Sequence, residues 1–513
     1  MTGSNRRFGA EFSLVLPRSS VLKSRAKGTA MDNRQIKNEG QIFTPRRIVD
    51  NMLDFMGYRG SGILKKHVME NSCGRGAFLV AVVERYAAAF LKRKNADPAG
   101  LAAELETYVH GIEKDAENVK ICVENLNAVA KRLNVSVNWD VACADTLNVC
   151  GDYGGRMDFV VGNPPYVRVH NLNDSYESVK KRAFSSAGMT DLYLVFFEIG
   201  LSMLSENGKM CLITPSSFLK SEAGGAFRKS IRANRFLTAV VDLEHAQPFD
   251  NATTYTAISL FDVSRKSGGV EYYRYDAATN ENVFVDEIDY DSLFIDGKMF
   301  LDTRKRLSLI KKIDDHYKRV SKKSVKVKNG FATLADKIFI GDFAAGDMRI
   351  PVLKASTGKW SRCVFPYTAD GAPLSENEIR TKHKAAYDYL LSNKSDLMKR
   401  SIEKSGGWYL FGRSQALKDV QKDKVAVNQL IRDKSSLKIN LAPRGSGVYG
   451  GLYVVSDADA RKIASVLNTD EFVDYVKSLK NYKSGGYYTY SSRDLEKYLT
   501  YKLDERTDYA FEF

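Results

Sequence analysis

The stretch MDFVVGNPPYVRVHN, residues 157–171, decides how this chain is read. Met157–Gly162 is apolar and β-favouring, and it stops at a glycine. Asn163-Pro164-Pro165-Tyr166 follows. Two consecutive prolines fix φ, offer no N–H and bar both strand and helix, so the chain must turn a stiff corner. The corner sets a carboxamide on one side, a phenol ring on the other, and a proline carbonyl between them.

Around this corner the pattern alternates. Strands are expected at 67–70, 108–113, 158–162, 209–214, 237–242 and 254–261, with helical stretches such as AFLVAVVERYAAAFLKRK between them. Such alternation implies a parallel sheet with helices on both faces. Ligands in such sheets sit at the carboxyl ends of the strands, near the switch point.

Several motifs fall at those ends. In GQIFTPRRIVDNMLDFM, Thr44 is expected to cap a helix that Pro45 begins. In VMENSCGRGAFLV a strand ends at Glu70, a loop runs from Asn71 to Gly76, and a helix starts near Ala77. Gly74 and Gly76 let the backbone pass close to a ligand. Leu79 stands where a dinucleotide fingerprint has its third glycine, so the loop suits a smaller ligand than a nicotinamide or flavin dinucleotide. The next strand ends at Glu113, where an acidic residue commonly binds ribose hydroxyls. Asp145, in ACADTL, is a third candidate, facing an adenine amino group.

Residue by residue, the chain here resembles the adenine-N6 DNA methyltransferases. The resemblance is closest to the gamma-order group, in which cofactor motifs precede the catalytic motif. It rests on GQIFTP, ENSCGRGAFL, GIEKD, ACADTL, GNPPY, DLYLVFFEIGLSML, GKMCLITPSSFL and FDNATTYTAISLF. It departs at Asn71, where the family usually has proline, and at Arg75, where a small residue is common. The resemblance implies an α/β fold: a Rossmann-like, mostly parallel seven-stranded sheet, with a mixed α+β DNA-recognition domain at the C-terminus. It implies S-adenosylmethionine as methyl donor, surrounded by Thr44, Glu70, Ser72, Gly74, Glu113, Asp145 and Asn163, with Asp115 nearby. Asn163, Pro164, Pro165 and Tyr166 would be catalytic, and Tyr166 with Phe249 (Tyr255 in reserve) would stack on a flipped adenine. The implied partners are double-stranded DNA and a separate cognate restriction endonuclease sharing the site, since only about 40 residues precede the cofactor motifs. Cytosine-N4 enzymes usually carry serine where Asn163 stands.

Charge supports a polyanionic partner. Of the net +15, residues 1–300 hold 37 basic and 36 acidic side chains, and residues 301–513 hold 40 and 26. Clusters such as KRVSKKSVKVK and IRDKSSLK sit among Trp360, Tyr367, Trp408, Tyr409 and Phe411, a mixture suited to nucleic acid. Arg413 and Arg432 are candidates for reading guanines. SGGYYTYSSRD reads as a tight turn.

The expected organisation is a flexible tail over 1–30, a catalytic domain over 31–265, a connection over 266–320 and a recognition domain over 321–513. Six cysteines without a CxxC pair and six histidines spaced singly argue against a zinc site and a disulfide framework, and fit a reducing cytosol, which the resemblance implies is bacterial or archaeal. No apolar run is long enough for a membrane span. Two rival functions use the same corner: methyl transfer to a protein glutamine or an RNA guanine, and DNA binding on an inactive methyltransferase scaffold.

Overall fold

A computed structural model describes residues 43–508, apart from 168–178, 180–181, 186–189, 250–253, 265, 322, 324, 343–345, 403–406 and 414. The expected tail and the lead-in residues 40–42 lie outside them. One nine-stranded sheet dominates. Its strands are β1 (Val68–Glu70), β2 (Val109–Glu113), β3 (Asp140–Cys143), β4 (Met157–Gly162), β5 (Leu204–Pro215), β6 (Leu237–Asp242), β7 (Thr256–Asp262), β8 (Gly269–Asp276) and β9 (Glu281–Asp289). They lie in the order β3-β2-β1-β4-β5-β7-β6-β8-β9. Strands β1 to β5 pair in parallel, and β7 inserts antiparallel between β5 and β6. The order reverses between β1 and β4, so Glu70 and Asn163 end neighbouring strands at the switch point.

The sheet is wider than the seven strands expected, and it continues past residue 265. β8 pairs in parallel with β6, and β9 folds back on β8. Within the span 266–320, expected to be a connection, the acidic stretch DEIDYDSLFIDGK (286–298) begins in β9, the outermost strand. Charge is tolerated there and blocks further pairing at an edge. The rest of the expected connection includes a helix, Arg304–Arg319, whose narrow stripe of Leu307, Ile310 and Ile313 is buried. It packs on the C-terminal helix Ser492–Asp508 through Lys497–Asp314 (2.5 Å), Tyr317–Glu496 (2.7 Å) and His316–Asp504 (2.9 Å).

Helices α1 (Arg46–Met56), α2 (Ala77–Phe90), α3 (Pro98–Tyr108) and α4 (Ala116–Arg132) follow or connect the first strands. α3 fills the long gap between the glycine loop and Glu113, and Asp97 caps it through Gly100 N–H. The C-terminal half is mixed α+β. It holds a four-stranded sheet (Val325–Asn329, Leu452–Ser456, Lys424–Val427, Ile439–Ala442) and two three-stranded ones, the second formed by the hairpin Tyr482–Lys483 and Tyr487–Thr489 with Leu430–Ile431. One hydrophobic cluster runs from Val160, Leu212 and Val240 of the large sheet to Val425, Leu452 and Tyr498, so the two halves share a core.

The aromatic residues interleaved with the basic clusters take a different place from the one expected. Tyr367, Trp408, Tyr409 and Phe411 are each under 10% exposed, in a cluster of their own, and only Trp360 is exposed, at 48%. Burying rings of this size is strongly favourable, and Arg400 turns its guanidinium onto the Thr333 and Trp408 carbonyls at the edge of that core. Among the described residues no helix is long and apolar enough to cross a membrane.

Candidate active site

The site is built where β1 to β4 end. β1 is buried throughout and stops at Glu70. In the loop that follows, Gly74 (φ 50°) and Gly76 (φ 81°) are left-handed. A Cβ on Gly76 would lie 2.6 Å from Cys122 Sγ on α4, so the helix behind also requires glycine there. α2 begins at the next residue. The missing third glycine is offset on β2: Leu79 fills the space over Gly111, where a Cβ would fall 2.8 Å from Leu79 Cδ1.

Glu70 lies behind this loop, 3% exposed, and accepts from the Leu79 N–H at 3.1 Å. Burial, reinforced by Glu113, holds its carboxyl well above the usual carboxylate range. Glu113 faces the loop. Its two oxygens accept from Gly74 N–H and Asp115 N–H, each at 2.9 Å. Asp115 is committed to capping α4 through Asn118 N–H at 2.8 Å. Asp145 accepts from Leu147 N–H at 3.0 Å, and the neighbouring Thr146 hydroxyl donates to the Asn71 carbonyl at 2.6 Å, tying the third strand's loop to the first.

In the middle of this frame, Ser72 Oγ and both polar atoms of the Asn71 amide are buried with no partner among the described residues. Leaving such an atom unsatisfied costs about 1–3 kcal/mol. Unsatisfied polar atoms gathered at a strand-end loop with left-handed glycines mark a place for a polar ligand. The residues present therefore fit a nucleoside-type cofactor.

Asn163 follows β4, with Pro164 buried and Pro165 half-buried behind it. Its Nδ2 donates to Thr44 Oγ1 at 3.1 Å, across 119 positions. This corrects the expected role of Thr44 as a cap. α1 starts at Arg46 with Pro45 at its N-cap, and no side chain caps it. The Thr44 hydroxyl, 7% exposed, is taken by the asparagine instead, and no local signal could have shown that partner. Tyr166 is anchored at both ends. Its hydroxyl donates to the Ile213 carbonyl at 3.1 Å, and its ring meets Tyr193 edge-on at 6.5 Å. Burial holds the phenol well above its ordinary value.

Phe249 is packed at 5% exposure in the cluster that also holds Ile213 and Val241. Tyr255 packs on His245 and Tyr482, at 5.9 and 5.2 Å between ring centroids. Arg413 and Arg432 are exposed in the C-terminal half; Arg432 pairs with Asp433 at 3.2 Å and lies over Tyr487.

Residues 91–249, which include Glu113, Asp145 and the Asn-Pro-Pro-Tyr corner, match the model of the Eco57I restriction-modification methylase family. Over those residues the chain is similar to that methylase family. Among curated relatives, the type II methyltransferase M.PaeR7I of Pseudomonas aeruginosa is 28% identical over 343 residues, 61% of this chain and 58% of that protein. The type II methyltransferase M.BstVI of Geobacillus stearothermophilus is 27% identical over 385 residues, 66% of this chain and 68% of that protein. The chain thus matches rather more than half the length of M.PaeR7I. The fold also matches the type IIL restriction-modification enzyme MmeI, solved with DNA, with a TM-score of 0.59 at 13% identity, over 91% of this chain and 68% of that one. The likeness of fold to MmeI thus extends over more of the chain than the family match does.

Proposed function

We propose that this protein methylates the N6 amino group of adenine in duplex DNA at a specific site. It would act as the modification component of a restriction–modification system, with a separate endonuclease. The observation that carries this reading is the fixed corner after β4, with Asn163 held by Thr44 and Tyr166 held by Ile213. An exocyclic adenine nitrogen is a poor nucleophile, because its lone pair is delocalised into the ring. On this reading the Asn163 carboxamide oxygen accepts one N–H of that amine and the Pro164 carbonyl accepts the other. The two bonds draw the nitrogen towards tetrahedral geometry and localise the lone pair, so catalysis is positioning and electrostatics.

S-adenosylmethionine would supply an electrophilic sulfonium methyl. Glu113 would hold ribose hydroxyls, Asp145 the adenine end, and Ser72, Asn71, Gly74 and Thr44 the remainder, with Glu70 bracing the loop from behind. The base must leave the duplex, at a few kcal/mol. A face on Tyr166 returns about 1–3 kcal/mol, and Phe249 is the proposed second face. The excess of basic residues in the C-terminal half supports DNA as the substrate: phosphate contacts would position it and base contacts would specify the site.

The test is a labelled-methyl assay offering DNA, RNA and protein side by side, followed by single-molecule sequencing of the DNA. Label on adenine at one recurring sequence is expected. Label only on RNA or protein overturns the reading.

A further inference from the structure

The carboxyl end of β6 carries an arrangement that the chemistry above does not use. Asp242 ends the strand at 3% exposure. It accepts from the Tyr482 hydroxyl at 2.5 Å and from Glu244 N–H at 2.9 Å. The Glu244 carboxylate meets Lys480 Nζ at 2.8 Å, and Lys480 also reaches the Tyr272 hydroxyl at 3.0 Å. Lys220, which follows β5, donates to the Leu479 carbonyl and lies 4.6 Å from the Phe300 ring. Between them is a cavity of about 30 Å³, lined by Ser216, Lys220, Asp242, Lys480 and Tyr482 among others, with room for about one water.

Three features distinguish this junction from ordinary packing. Glu244 and Lys480, the two members of the ion pair, both adopt left-handed backbone, with φ of 47° and 49°. That conformation is uncommon for residues other than glycine, and it persists where the surroundings over-determine it. The pair also joins positions 236 apart. One lies on the corner that leads from β6 to Phe249 and β7, the other at the entry to the C-terminal hairpin. Finally, the rings beside them interlock. His245 meets Tyr482 and Tyr488 edge-on at 5.1 Å, and Tyr255 lies 5.2 Å from Tyr482. His245 Nε2 is buried with no partner among the described residues.

We infer that Lys480 is a positioning residue for methyl transfer: through Glu244 it holds the corner after β6 so that the seating of the C-terminal half fixes the β6–β7 side of the base pocket. This deepens the methyl-transfer reading and rests on it. Removing the ammonium frees Glu244 to relax from its left-handed conformation. The corner that carries Phe249, and the Tyr255 ring packed on Tyr482, then shift together. A displacement on the order of 1 Å at a reacting group lowers rate by about a hundredfold, so modest slack is enough to register.

The experiment compares full-length wild type with Lys480→Met, Lys480→Arg and Tyr482→Phe, each normalised to folded protein by thermal melt. It reads single-turnover methylation, affinity for DNA and for cofactor, and fluorescence of 2-aminopurine at the target position. Lys480→Met is expected to slow methylation about tenfold. Both affinities should stay within about threefold of wild type, and the 2-aminopurine signal should fall. Lys480→Arg should restore most of the rate, and Tyr482→Phe should give a smaller effect of the same kind. The inference is overturned if Lys480→Met and Tyr482→Phe both methylate at the wild-type rate per folded molecule, or if their loss lies entirely in DNA affinity. A wild type that transfers no methyl to any DNA overturns the underlying reading instead.

Discussion

The two edges of the large sheet are made by the same strands, and they are built on opposite principles. At the amino edge, His67 precedes β1, His110 lies early in β2, Asp140 begins β3 and Asp158 lies early in β4. These four bond to one another. His110 Nδ1 lies 2.6 Å from Asp140 and its Nε2 lies 2.8 Å from His67 Nδ1, so the two rings and the carboxylate form one hydrogen-bonded chain. Asp158 accepts from His67 N–H at 2.9 Å and from Lys66 Nζ at 2.8 Å. At the carboxyl edge the strands end at or near Glu70, Glu113, Asp145 and Asn163, and the loop between them keeps Ser72 and the Asn71 amide buried without partners among the described residues. A closed polar network is complete as structure. An open one leaves donors and acceptors that a polar ligand can take up. Polar residues at strand ends do not by themselves identify a site; unpartnered atoms gathered in one loop beside left-handed glycines strengthen the case.

That contrast predicts that substitutions at one edge change chemistry and at the other change stability. The largest effect belongs to Asn163→Ala. It should lower methyl transfer by about a hundredfold or more, the scale of losing one preorganised transition-state contact, while cofactor binding measured by calorimetry stays near wild type. Near-normal turnover would remove the mechanism. Next is Tyr166→Ala, expected to slow transfer about tenfold through loss of a stacking face, against Tyr166→Phe, which keeps the ring and loses only the bond to Ile213. Equal losses in the two variants would assign the role to the hydroxyl. Glu113→Ala should weaken cofactor binding about tenfold, with most of the rate recovered at saturating cofactor.

At the amino edge, His110→Ala should lower stability by about 1–3 kcal/mol and leave turnover per folded molecule unchanged, as denaturant melts run beside activity will show. If activity falls while stability holds, the division between the edges is wrong. The smallest effect is one of pH. Burial, with His110 beside it, holds the His67 pKa below its ordinary value. The unfolded chain therefore binds the extra proton first as pH falls through the histidine range. Stability should decline on acidification from neutral pH, and His67→Asn should flatten that slope.

Much of this edge was legible beforehand. Strand ends at Glu70, Glu113 and Gly162, the loop from Asn71 to Gly76 and the start of α2 at Ala77 all follow from local pattern. What failed had a common cause. Thr44 followed by Pro45 is a sound capping signal, but the hydroxyl found a partner 119 positions away. The acidic stretch at 286–298 looks like a connection by composition, yet its first residues end β9, because an edge strand tolerates charge. Trp408, Tyr409 and Phe411 sit among basic residues in the sequence and in a core in the fold. His67 and His110 are unremarkable singly, and only parallel pairing of β1 with β2 brings them together.

Local pattern alone therefore determined the alternation of strands and helices, the left-handed glycine loop and the rigid corner at Asn163, because each depends on interactions within a few residues. Tertiary structure alone decided which polar atoms are satisfied: Thr44 on Asn163, Lys480 on Glu244, His110 on Asp140, and Ser72 on nothing among the described residues. A hydrogen bond between residues far apart in the chain is set by how sheets and helices pack, and no short window of sequence contains that information.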